Sequence, residues 1–139
     1  MWKYYALLSA LFAAVTALLA KCGVKSVDSN LATAIRTTVI LFLTWGIVLC
    51  SGSAGQLKSI SWRGVIFLAG SGVATGLSWL FYFKAIQLGD ISKVAPLDKL
   101  SVALVVLSGI LFFHEKATWQ LICGSSCILF GTLLLLHGK

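Results

Sequence analysis

The sequence predicts an all-α polytopic membrane protein with five transmembrane helices, and three observations carry that prediction. Hydrophobic residues make up 59% of the 139 residues and charged residues 11%, against roughly 45–50% and 25% in a soluble domain, so there are too few charges to cover a water-facing surface. A mean hydropathy of +0.99, one proline and 13 glycines exclude a disordered tail, a collagen-like chain and a low-complexity polymer. The apolar runs between charges mostly reach the ~20 helical residues that cross a bilayer core about 30 Å thick. They lack the alternating pattern of barrel strands, and a helix pairs its backbone groups internally where an open sheet in lipid cannot.

The first span is predicted at 4–22. Lys3 and the stretch 17–20 imitate a leader peptide, but the apolar run exceeds a leader's ~7–15 residues and four more spans follow. The second is predicted at 31–50, because Ser51, Gly52, Ser53, Ala54, Gly55 and Gln56 read as loop; trimming them moves the start back to include Arg36. Asp28, Ser29 and Asn30 offer capping oxygens before it. The third is predicted at 63–86. The fourth is predicted at 94–113, since 100–113 alone is too short to cross, and the extension takes Asp98 and Lys99 into the membrane. The fifth is predicted at 118–136. Gly23, Gly52, Gly89 and Gly138 follow span ends, and Trp2, Tyr4, Tyr5, Trp62 and Trp119 fall where an interfacial aromatic belt would.

Eleven Lys and Arg against four Asp and Glu give a formal net charge of +7. In a soluble chain that balance suggests a nucleic-acid partner; here the cations punctuate apolar runs, where head groups and topology require them, and no nucleic acid is expected. Cys22, Cys50, Cys123 and Cys127 lie in or at the ends of apolar runs. Cys123 and Cys127 share a helix face, but His137 is about 15 Å of helix beyond Cys127, so no metal and no cofactor is expected and the cysteines read as small apolar side chains. No phosphate-binding glycine loop or Ser/His/Asp grouping is present. His114 and Glu115, beside Lys116, read as a helix end, and no enzymatic activity is expected.

Polar residues mark one face of each middle span. Thr33, Arg36, Thr37 and Thr44 align in the second, with Leu41, Phe42 and Ile47 pointing elsewhere; Ser71, Thr75, Ser78 and Tyr82 align in the third, beside Gly72, Gly76 and Trp79; Asp98, Ser101 and Ser108 align in the fourth. Single hydroxyls and glycines serve helix packing in lipid. Charges require more, because one near mid-bilayer costs at least about 2.5–3.5 kcal/mol. Arg36, Asp98 and Lys99 lie ~8 Å into their predicted spans, which start on the same side of the membrane by span parity. Arg36 and Lys99 can snorkel, whereas Asp98 is too short. The expected substrate-binding residues are Arg36, Thr37, Ser78, Trp79, Tyr82, Asp98, Lys99 and Ser101, with Asp98 paired to Arg36 or Lys99 in the empty protein. Pro96 is a harmless first-turn residue if its helix starts at 94 and a kink or gate if it starts near Asp90; the sequence leaves both open.

The order Ala85, Ala95-Pro96-Leu97 at the opening of the fourth span, Glu115-Lys116 in the loop after it, and Gln120, Gly124 and Gly131 along the last resembles the EamA domain of the drug/metabolite transporter superfamily. The similarity covers nearly the whole chain, as one inverted-repeat unit over 1–139. Members usually carry two such domains in ten spans. A single copy, with the stretches 33–37 and 93–101, is similar to the short bacterial and archaeal transporter branch. The resemblance implies a secondary transporter that moves a small polar metabolite, an amino-acid-like solute or an organic anion, by alternating access through a central cavity. Spans one to four would line that cavity and the fifth would support or assemble it, in a prokaryotic plasma membrane. Small multidrug resistance pumps have four spans and a glutamate in the first; the first span here has no acid, which argues against a proton-coupled drug pump.

An odd span count means that two parallel copies cannot form an inverted repeat, so a homodimer of oppositely inserted copies is expected. The cations permit dual topology: Lys3, Lys58, Arg63 and Lys116 flank one side and Lys21, Lys25, Lys84, Lys93 and Lys139 the other, a bias too small to fix orientation. Two alternatives use the same features, a non-transporting membrane assembly module and a flippase-type carrier of lipid-linked sugar.

Overall fold

The computed structural model describes residues 1–137. Among them the chain forms helices α1 (Trp2–Gly23), α2 (Ser29–Cys50), a 3₁₀ helix (Ser53–Ser59), α3 (Trp62–Leu88), α4 (Ile91–Asp98), α5 (Ser101–Phe112) and α6 (Trp119–His137), with no strand. Five stretches are long and apolar enough to cross a membrane: α1, α2, α3, Ile91–Phe112 and α6. Gly138 as the last helix stop and Lys139 as a flanking cation lie outside the described residues.

Short polar side chains start the helices. Asp28 accepts from the backbone N–H groups of Asn30 and Leu31 at 2.9 and 3.3 Å, which places the α2 start at Ser29, two residues before the predicted one. Ser61 Oγ accepts from Gly64 N–H at 3.2 Å and Thr118 Oγ1 from Leu121 N–H at 3.3 Å, so these two hydroxyls begin α3 and α6 in the same way. After α2 the chain reverses at Gly52, whose φ of +70° favours a residue without a Cβ. The stretch predicted as loop then largely winds into the 3₁₀ helix, where Ser59 Oγ donates to Gln56 O at 2.7 Å.

The fourth span departs most from expectation. It starts at Ile91 after Asp90, not at 94, so Pro96 lies past the first turn and its ring nitrogen offers no hydrogen to the preceding turn. The helix tightens there: Lys99 and Leu100 N–H donate to Pro96 and Leu97 O at 2.9 and 3.0 Å, three residues back instead of four. It breaks at Lys99 and Leu100 before α5 resumes. Side chains serve the carbonyls at the break. Ser101 Oγ donates to Asp98 O at 2.8 Å, and the buried Thr132 hydroxyl of α6 is shared between Ile128 O at 2.8 Å and Pro96 O at 3.4 Å.

The helices group into two compact units, Leu18–Leu88 and a second comprising Met1–Ala17 with the chain from Gly89 onward. In the first, α2 packs on α3 around buried Val24, Ser29, Thr33, Phe83 and Ile86. Lys21 Nζ donates to Ile86 O at 2.6 Å, a cation on the last turn of α3 where the helix dipole favours one. Gln87 Nε2 reaches Val24 O and Val27 O at 3.4 and 3.2 Å, stitching the α1–α2 turn to the same helix end. In the second unit, α4 and α5 both pack on α6. Phe113 and Glu115 N–H both donate to Gly109 O, at 3.2 and 3.1 Å, and His114 turns the chain with φ +52°. The Glu115 carboxylate lies so close over Gly109 that a Cβ there would sit 2.9 Å from Oε2. Most Leu, Ile and Phe side chains stay exposed on the isolated chain, the surface that lipid covers.

Candidate solute-binding site

Arg36 stands seven residues past the start of α2, about 10 Å along the helix. Its guanidinium lies over the Trp79 ring, 4.0 Å from the centroid, and 5.3 Å from the centroid of Phe83. Trp79 and Phe83 are one turn apart on α3 and so present their rings together. Phe83 is buried and Trp79 half-buried, which fixes the stack. Cation–π contact is worth about 0.5–1 kcal/mol where exposed and ~2 when desolvated. A guanidinium held by its face keeps N–H donors at its edge for a planar anion.

The unit offers this cation no carboxylate. Its one acid is Asp28, engaged at the α2 N-terminus. The threonines beside Arg36 are turned to their own helix: Thr33 Oγ1 donates to Ser29 O and Thr37 Oγ1 to Thr33 O, both at 2.8 Å. Thr37 therefore keeps lone pairs, not its hydrogen, for a ligand. Ser78 is exposed next to Trp79, and Tyr82 is half-buried one residue before Phe83.

In the second unit the expected residues Asp98, Lys99 and Ser101 gather at the break after Pro96. Lys99 Nζ lies 3.4 Å from Asp98 Oδ2, with side chains 57% and 42% exposed. A pair so open is worth little in water; within lipid it keeps two charges partnered. Phe83 and Thr132 are contributions that the sequence reading misses. The spacing of Trp79 and Phe83 by four residues was a usable sign for the first; nothing local marks Thr132 as the partner of Pro96.

The model of the EamA-like transporter family matches residues 1–137. The chain belongs to that family. An uncharacterized transporter in the cobO 3' region of Sinorhizobium sp is 49% identical over 134 residues, 96% of this chain and 95% of that protein. A probable 4-amino-4-deoxy-L-arabinose-phosphoundecaprenol flippase subunit ArnE of Hamiltonella defensa subsp. Acyrthosiphon pisum (strain 5AT) is 36% identical over 113 residues, 71% of this chain and 91% of that protein. No solved structure matches. This EamA-like protein is thus a multi-pass membrane transporter, in agreement with its five apolar spans.

Proposed function

We propose that this EamA-like transporter moves a small polar anion, an organic acid or amino-acid-like solute, across the plasma membrane of a prokaryote by alternating access. The supporting observation is the Arg36 guanidinium over Trp79 at 4.0 Å, in a unit whose single acid caps a helix. A cation kept in a membrane span without a carboxylate attracts an anionic ligand, and Arg suits a carboxylate through two parallel N–H donors. Thr37, next to Arg36 along α2, and Ser78 and Tyr82, next to Trp79 and Phe83 along α3, are proposed to meet the rest of a polar solute with their oxygens. Asp98, Lys99 and Ser101, at the break of the fourth span, are proposed as solute contacts in their own unit. There an ammonium or carboxylate of the solute exchanges with one member of the Asp98–Lys99 pair with little change in burial. The working unit is a homodimer of oppositely inserted copies, which supplies the inverted repeat that five spans alone lack.

Uptake of labelled amino and organic acids into proteoliposomes tests this. Saturable uptake of one soluble acid class is expected, strongly reduced in Arg36→Ala and partly kept in Arg36→Lys. A second reading, a carrier of lipid-linked sugar, is favoured by the relative named as a flippase subunit; there Arg36 meets a phosphate. No uptake of any soluble acid, with movement of a labelled polyprenyl-phosphate sugar across the bilayer, would replace the first reading by the second.

A further inference from the structure

We propose that the cavity between the last turns of α2 and the 3₁₀ helix is a site for the head group of an anionic phospholipid. The cavity measures about 420 Å³, within the ~300–1,000 Å³ of small-ligand sites. It exists because Gly52, at φ +70°, turns the chain back so that the 3₁₀ helix lies against α2. Its lining divides by chemistry. Val48, Leu57 and Ile60 offer apolar surface for the start of an acyl chain, while Gln56 offers amide donors for a phosphate and Thr44, whose hydroxyl donates to Ile40 O at 2.8 Å, keeps lone pairs for a glycerol hydroxyl.

Charge selects an anionic lipid over a zwitterionic one. Lys58 lies between Leu57 and Ser59, both in the lining, and Arg63 follows Ile60 by three residues in the first turn of α3. From Ser29 through Gly89 the sequence holds no Asp or Glu. The one acid of the unit, Asp28, stands at the opposite end of α2, about 33 Å of helix away. The position also suits a lipid. Trp45 lines the cavity and Trp62 lies 74% exposed beside Arg63, the interfacial placement of amphipathic rings. Basic residues at that level attract anionic lipids. This assignment is independent of the solute that Arg36 binds.

The test uses the purified full chain and native mass spectrometry after controlled delipidation, with phosphatidylglycerol and phosphatidylcholine of identical acyl chains. One phosphatidylglycerol should be retained per chain, in preference to phosphatidylcholine. Lys58→Gln/Arg63→Gln should weaken retention by on the order of tenfold, whereas Lys25→Gln/Lys84→Gln, which removes equal charge elsewhere, should leave it unchanged. Equal retention of the two lipids, or equal loss in both double variants, would overturn the site. Soluble glycerol 3-phosphate that displaces the lipid at comparable concentration would overturn the assignment to a lipid.

Discussion

At the scale of single residues, the stack of Arg36 on Trp79 combines two needs that conflict in a membrane. In the proposed function the cation is kept from lipid and still offered to a ligand. Removing the ring in Trp79→Ala should lower apparent solute affinity roughly 3- to 30-fold, the range that a lost cation–π contact allows, read as a rise in the KM of uptake; an unchanged KM would mean that the ring only packs. Asp98→Asn should abolish or uncouple transport with the proposed dimer still assembled on size-exclusion chromatography, and normal transport by this variant would make the acid structural. Gly52 carries a purely conformational demand. With φ +70°, Gly52→Ala should destabilise the protein by about 1–2 kcal/mol, measured by thermal unfolding in detergent, while Gly52→Asn loses less.

At the scale of elements, hydroxyl and carboxylate caps decide where spans start. Asp28→Ala removes the acceptor for Asn30 and Leu31 N–H and should cost about 0.5–2 kcal/mol, visible as a lower unfolding temperature with unchanged helix content at 20 °C. The fourth span behaves differently because its defect is internal. Pro96→Ala restores an N–H to the preceding turn and should raise thermal stability or leave it unchanged while slowing uptake, if the break between α4 and α5 is the part that moves. Faster or equal uptake in this variant would make the break a packing feature. The caps at Ser61 and Thr118 are ordinary sequence signals, a hydroxyl directly before an apolar run, and were open to reading. The start at Ile91 was one of two that the sequence left open, because Pro96 is compatible with either a first turn or an interior position; Asp90 precedes the helix without a side-chain cap bond.

At the scale of the whole molecule, the exposed apolar faces and the near-even cations pose one question, that of orientation. Reporters fused after Lys139 should be active on both sides of the membrane if copies insert oppositely, and activity confined to one side would leave the five spans without their inverted partner. Four flanking cations against five permit both orientations, so a second fusion in the loop at Lys58 should likewise be active on both sides, with the two activities in inverse proportion.

The sequence by itself determined the number of spans, their helical nature and the family, because hydropathy over ~20 residues and the order of motifs along the chain are local or additive properties. It also singled out Arg36 and Asp98, since a charge inside an apolar run is conspicuous without any fold. Only the tertiary structure decided what these charges meet. Phe83 under the guanidinium, Lys21 on Ile86 O, Gln87 on the α1–α2 turn and Thr132 on Pro96 are contacts between residues 36 to 65 positions apart. Contacts of that separation depend on how helices pack, and in lipid packing follows shape and hydrogen bonding with little guidance from hydrophobicity, which is nearly the same on every face.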